Sequence, residues 1–260
     1  MNASSTPPQT LQPSPDTGAE QARQQWHRER LQALQAPDGW LTLAGLVWLE
    51  DGTHSVGTGP DCAIQLPGTG RCPALWGSLR VAGTQAWWTA TDGQEIPLQT
   101  SNMQPTVVKH GPISFLLLER NEALAMRIKD EQAETRTGFQ GTELFAFDPA
   151  LQIQADWDGS FAHCDIGGRR YNLRPLNPQA NPLHFVLGDL TSGTLSYGGG
   201  RFLYVPLTTS EPGPIVLDLN RAINPPCAFT PFATCPLPPE ENRLPVAVTA
   251  GEKDYAGGHE

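Results

Sequence analysis

The stretch ISFLLLERNEALAMRI (residues 113–128) decides the fold class. Ile113 to Glu119 and Leu124 to Ile128 are apolar runs too short for helices, and an Arg-Asn-Glu turn separates them, so they read as adjacent strands. The same texture extends outward on both sides. Trp40 to Leu49 (WLTLAGLVWL) is almost wholly apolar and is expected to be buried on both faces. Gly52, Gly57, Gly59, Gly68 and Gly70 break the strands after it. Ser78 to Thr91 alternates and leads into Asp92-Gly93, a hairpin signal. In the second half, Glu143 to Phe147, Leu151 to Trp157, Leu183 to Leu187, Arg201 to Val205 and Ile215 to Leu219 are all short. The 260 residues include 25 Pro and 26 Gly, a composition that favours turns between short strands.

These features predict an all-β protein of two packed β-sandwich or barrel-like lobes preceded by one N-terminal helix. Residues 1–17, rich in Ser, Thr, Pro and Gln, are expected to be a disordered tail. Residues 18–37 hold the one good helix, GAEQARQQWHRERLQALQA up to the terminating Pro37, with Trp26, Arg30 and Leu34 on one line. Trp26 and His27 are expected to anchor it on the body. The first β lobe spans 38–135 and the second 136–254, divided near the polar stretch DEQAETRTG.

The net charge of −10, with only 17 Lys and Arg spread along the chain, argues against nucleic acid and anionic membrane surfaces as partners. No apolar run approaches membrane-spanning length. The start, MNASSTPPQTLQPSPD, lacks the basic and apolar regions of a secretory signal, so a cytoplasmic location is expected.

Three segments carry a family resemblance: GWLTLAGLVWLEDGTHSVG (39–57), DLTSGTLSYGGGRFLYVPL (189–207) and LDLNRAINPPCAFTPFATCPLPPEENRLPVAVTAGEK (217–253). Together they resemble the bacterial and archaeal family called domain of unknown function 1684, over a span from Trp26 to Lys253. Leu219 and Ile223 stand where aromatics are expected in that family. GTHSVGTGPDCAIQLPG is more distantly similar to the opening of a forkhead-associated β-sandwich. That module's phosphothreonine-binding Arg has no counterpart here, since Thr58 follows Gly57, so the likeness implies fold and not function.

The C-terminal segment is the part shaped by function. Its prolines stiffen a frame on which Asp218, Asn220, Arg221, Asn224, Glu240, Glu241, Asn242, Arg243 and Glu252 supply polar groups. Cys227 and Cys235 have four readings: buried thiols side by side, a disulfide, a metal pair completed by His184 or His163, and an activated thiolate. The Cys-x7-Cys spacing is not a zinc knuckle, and the first reading is favoured; no metal or cofactor is expected. Gly198 to Gly200 reads as a turn rather than a phosphate loop because no helix follows. On a strand, Arg127 and Lys129 face one side and Ile128 and Asp130 the other, and whichever side is inward must pair its charge.

Two functions are compatible with these residues. One is a small-molecule site, enzymatic or nearly so, where the NPPC and CPLPP motifs meet the β lobes. Arg127, Asp130, Asp189, Tyr197, Arg201, Asn220, Asn224, Cys227 and Glu241 line it, for a polar ligand that is neutral to cationic. An acid–base pair drawn from Asp130, Asp189 and Glu241 is the chemistry the composition supports. The other is a non-catalytic interaction or structural module whose motif clamps the C-terminus to the body, consuming Asp218, Arg221 and Glu252 in internal ion pairs.

Overall fold

A computed structural model of the chain describes residues 15–68, 70–100, 104–209 and 211–257. It shows an all-β protein with one long helix ahead of two β lobes. Helix α1 spans Pro15–Leu34, so only residues 1–14 of the expected tail lie outside the described residues. Proline is well accepted at the first helical position, which lets the helix begin there. It stops short of Pro37 because the residue before a proline disfavours helical backbone.

The first lobe packs two sheets face to face. One contains β1 (Leu43–Trp48), β9 (Ala123–Asp130), β8 (Ile113–Arg120) and β7 (Val108–His110), in that order. The other contains β3 (Ile64–Gln65), β2 (Gly52–Gly57), β4 (Gly77–Ala82), β5 (Gln85–Ala90) and β6 (Glu95–Leu98). Val56, Leu79, Val81 and Trp88 from the second sheet meet Ile113, Phe115, Leu117, Leu124, Met126 and Ile128 from the first. Trp76, Trp88 and Phe115 stack edge to face, with centroids 5.1 to 5.4 Å apart. Burial alternates along the end of β9: Ile128 and Asp130 are buried while Arg127 and Lys129 lie on the opposite face. Trp40 to Leu49 is buried on one face only. It begins as a 3-10 turn and becomes β1, an edge strand whose Trp48 is 53% exposed.

The second lobe sets the sheet β12 (Arg169–Leu173), β11 (Ala162–Ile166), β10 (Gln152–Trp157), β15 (Gly213–Asp218) against the pair β13 (Leu183–Leu187) and β14 (Arg201–Val205). Trp157, Cys164, Leu173, Phe185, Leu203 and Leu217 are among its core residues. Glu143 to Phe147 is not a strand; it makes a single bridge, Leu144 to Glu252. Strand β12, with a polar outer face, gave no sequence signal. Leu219 and Ile223, where aromatics are expected, are both buried apolar contacts, in different clusters. A four-residue helix α2 (Glu134–Thr137) occupies the polar stretch between the lobes. Among the described residues no helix is long and apolar enough to cross a membrane.

The turn between β8 and β9 consists of Asn121 and Glu122, both at positive φ (50° and 63°). A two-residue hairpin of this hand needs that backbone, which Asn tolerates and Glu does not. Glu122→Gly should therefore stabilise the protein by about 1 kcal/mol, read as a higher midpoint in urea unfolding. A lower midpoint would contradict the turn.

Candidate functional site

The predicted site residues separate into three groups. The first is a buried clasp built on Glu252, whose side chain has no exposure. Its Oε2 accepts the Asn224 backbone N–H at 2.7 Å, and its Oε1 accepts Thr142 Oγ1–H at 3.0 Å and Arg30 Nε–H at 3.4 Å. Arg30 also donates to Asn224 O at 3.0 Å and lies over the Trp40 ring at 4.6 Å. The Asn224 side chain donates to Lys253 O at 2.8 Å. His27 Nε2 meets Thr142 Oγ1 at 2.9 Å. Burial lowers the Arg30 pKa, and Glu252 opposes that by favouring the charge. Trp26, Arg30 and Leu34 thus share the packed face of α1: Trp26 contacts the cluster of Val186, Phe202 and Ile223, and Leu34 joins Phe229.

A second clasp lies next to it. Arg201, 1% exposed, pairs with Asp189 (Nη2 to Oδ2, 2.7 Å) and donates to Val248 O at 2.9 Å and to Ala250 O. Burial pushes the Asp189 carboxyl up, but Arg201 and Thr191 outweigh it and hold the pKa below the usual value. The Asn220 amide spans the Asp148 backbone, donating to its O at 2.9 Å and accepting its N–H at 3.0 Å. Asp218 lies 3.4 Å from Arg221. Of the three glycines 198–200, Gly200 has a positive φ (87°), and its backbone abuts Pro238 and the Leu187 carbonyl, leaving no space for a Cβ.

The remaining predicted residues are dispersed. Asp130, 2% exposed, pairs with Arg71 at 2.8 Å on the inner face of β9. Glu241 is on the surface, 3.9 Å from Arg174. Tyr197 Oη–H donates to Cys227 O at 3.2 Å. Asp130, Asp189 and Glu241 therefore sit in three separate surroundings and do not form an acid–base pair. Cys227 and Cys235 are joined as a disulfide rather than packed as thiols; their Cα atoms, 6.2 Å apart, are within bridging range. Among the described residues no group of three or more His, Cys, Asp or Glu is placed to hold a metal ion.

Arg127 alone of the predicted ligand residues opens onto a cavity with unspent polar capacity. The outer face of β9 and the end of β8 form one wall of a cleft of about 310 Å³ through Arg120, Arg127 and Lys129. His184 and Phe202 of the β13–β14 pair form another, with Trp40, and Pro226, Ala233, Thr234, Cys235 and Pro236 close it. Arg127 Nε and His184 Nε2 are buried without hydrogen-bond partners among the described residues. None of the three cations forms a salt bridge with a described residue; Lys129 Nζ donates to the Asp38 carbonyl at 2.9 Å. Burial lowers the pKa of Arg127, and nearby Arg120 adds to it. Lys129 is lowered by burial, with Arg127 adding and Asp38 opposing. Burial drops His184 to about 4, so the ring is neutral near pH 7, stacked on Tyr204 at 4.4 Å and edge-on to Phe202 at 4.3 Å. Sequence reading found Arg127 from its strand position but missed His184 as a cleft residue, and Arg120, Lys129 and Trp40 as its neighbours. They converge only through the packing of the lobes. A wider depression of about 440 Å³ beside Gly188, Leu190, Leu237 and Arg243 includes Asp189, whose carboxylate is already engaged.

Residues 159–253 match the family model described as "Protein of unknown function (DUF1684)". The span 159–253 belongs to the DUF1684 family. The matched span covers most of the second lobe and the C-terminal motif, narrower than the resemblance from Trp26 to Lys253. An uncharacterised protein of Haloarcula marismortui, solved by solution NMR, is 31% identical over 45% of this chain and 78% of its own, with a TM-score of 0.39. No match is found among curated proteins. The forkhead-associated likeness gains no support from these comparisons. Within the DUF1684 match lie both sides of the Arg201–Asp189 clasp, the disulfide and His184; Arg127 and Lys129 lie outside it.

Two outcomes are expected. Glu252→Gln leaves Arg30 buried beside a neutral partner and should destabilise the fold by about 3 kcal/mol, measured by denaturant unfolding; an unchanged midpoint would show the clasp to be dispensable. Because the folded His184 pKa lies below its unfolded value near 6.5, the unfolded chain takes up the proton first. Its contribution is complete above pH 6.5 and is lost as pH falls toward 4. The loss is on the order of 2 kcal/mol, allowing for partial solvent access. His184→Phe should flatten that part of the stability–pH curve. His27, also lowered by burial, contributes in the same direction and is retained in both proteins.

Proposed function

We propose that this protein binds a small anionic molecule with a flat apolar part in the cleft between its lobes. The observation that carries this reading is the pair of buried, unpartnered nitrogens, Arg127 Nε and His184 Nε2, lining a cavity shared with Arg120 and Lys129. A buried donor without a partner costs roughly 1 to 3 kcal/mol, more when charged. Unneutralised like charges add to the strain, and an anion relieves both. Trp40, Phe202 and the neutral His184 ring provide apolar surface beside the cations. The ligand is therefore an anion in place of the neutral or cationic one that the whole-chain charge suggests. The cleft adjoins the proline-rich motif, near the junction expected from sequence, but of the residues expected to line that junction only Arg127 lines the cleft.

The reading of the motif as a structural clasp rests on its own observation: Glu252, Asn224, Arg201, Asp189 and Asn220 are engaged with protein partners. The two readings are compatible, since the clasp holds the segment that forms one wall of the cleft.

Arg127→Met tests the site. Removing an unpaired, partly buried charge should leave the unliganded protein as stable or about 1 kcal/mol more stable. It should also abolish the thermal shift that an aromatic carboxylate such as benzoate or an aryl phosphate gives the unaltered chain. A destabilised variant that retains an unchanged shift would refute the assignment.

A further inference from the structure

We infer that the Cys227–Cys235 disulfide is a thiol-exchange site selective for small anionic thiols, with Cys235 the sulfur attacked. The selectivity rests on the cationic cleft proposed for anion binding. Cys235, with Thr234 and Pro236 on either side, lines the same cavity as Arg120, Arg127 and Lys129, whereas Cys227 does not contribute to the lining. Both cysteines are partly exposed, and the bridge closes a loop of residues only eight apart in sequence. A thiolate that also carries carboxylates is drawn into this cleft by the excess of three cations over the one lining carboxylate, Asp38, and one carrying an ammonium is repelled.

In the exchange, the incoming thiolate attacks Cys235 Sγ along the S–S axis and forms a new disulfide to it. The electron pair of the old bond leaves on Cys227 Sγ, which takes a proton from water. No external oxidant or reductant is consumed: the incoming sulfur passes from the thiolate to the disulfide level as Cys227 passes from the disulfide to the thiol level. The Cys227 backbone N–H lies 3.3 Å from Cys235 Sγ and by itself favours Cys235 as the leaving sulfur. Access from the cationic side outweighs this, since the charged thiolate arrives through the cleft. Pro225, Pro226, Pro236, Pro238 and Pro239 restrict the backbone on either side of the bridge, so the two sulfurs stay near each other and Cys227 can reclose it.

The test uses the full oxidised chain carrying Cys62→Ser, which removes the partly exposed free thiol and leaves the buried Cys72 and Cys164. Opening of the bridge is followed with mercaptosuccinate and with cysteamine, each rate expressed per thiolate. The reaction is quenched with N-ethylmaleimide and mapped by peptide mass spectrometry. Mercaptosuccinate should react about tenfold faster, with its adduct on Cys235 and the maleimide on Cys227. The preference should shrink toward unity in Arg127→Met, in Lys129→Met and in 1 M salt, where the Debye length falls to about 3 Å. Equal rates for the two thiols, or an adduct on Cys227, would overturn the inference. Succinate and benzoate, which have no thiol, separate the two proposals in thermal-shift titrations. A shift together with unselective exchange refutes only the exchange site, and selective exchange without a shift refutes only reversible anion binding.

Discussion

The buried carboxylate of Glu252 is the constraint on which the arrangement depends. One side chain without solvent contact accepts from Arg30 of the N-terminal helix, from Thr142 after the first lobe and from the Asn224 backbone of the proline-rich segment. A charge in that position is tolerated only with partners on every lone pair, so the helix, the linker and the C-terminal segment must dock together. Arg201 applies the same logic a few residues away, drawing Val248 and Ala250 onto the second lobe. The proline-rich segment is held near Asn224 and near Val248 to Glu252 by contacts to buried charges.

That arrangement explains why polar residues in one motif have different roles. Asp189 and Asn220 are spent on backbone partners and neighbouring side chains, and Arg201 and Asn224 are anchored there too, although Arg201 Nε and Asn224 Oδ1 are left without partners among the described residues. Cleft polarity comes instead from strand β9 of the other lobe and from His184. The structural charges are paired or hydrogen-bonded, whereas Arg127 and Lys129 have no carboxylate partner among the described residues. Unneutralised buried charge costs stability, and binding sites are where a fold tolerates such a cost.

Much of the fold was legible because its signals are local. Short apolar runs, the Asp92-Gly93 turn and the spacing of Trp26, Arg30 and Leu34 each depend on neighbours in sequence. Strand β12 was not legible: its RRYNL run buries only Tyr171 and Leu173, too little for an alternation signal. The tight turn at Asn121-Glu122 was expected as a turn, but its positive backbone angles run against the preference of Glu. The disulfide was left open by sequence because bridging depends on Cα separation, which the fold sets. The two faces of β9 were legible from alternation alone, placing Asp130 with Ile128 and Arg127 with Lys129. Which face would meet a second lobe was not, since that depends on contacts across the whole chain. His184 was considered only as a metal ligand; its neutral, aromatic-stacked state arises from Phe202 and Tyr204 beside it in the β-pair.

The sign of the ligand charge shows how local geometry overrides composition. A net charge of −10 describes the field far from the protein, where it repels anions and slows their approach. Within the cleft the relevant charges are those within about a Debye length, roughly 8 to 10 Å at moderate salt. There Arg120, Arg127 and Lys129 face Asp38 as the single lining carboxylate. Low-dielectric walls built by Trp40, Phe202 and the prolines weaken screening of those cations by water. An acidic protein can thus present a site for an anion, with the surrounding negative surface limiting the rate of entry and the cleft cations setting the strength of binding.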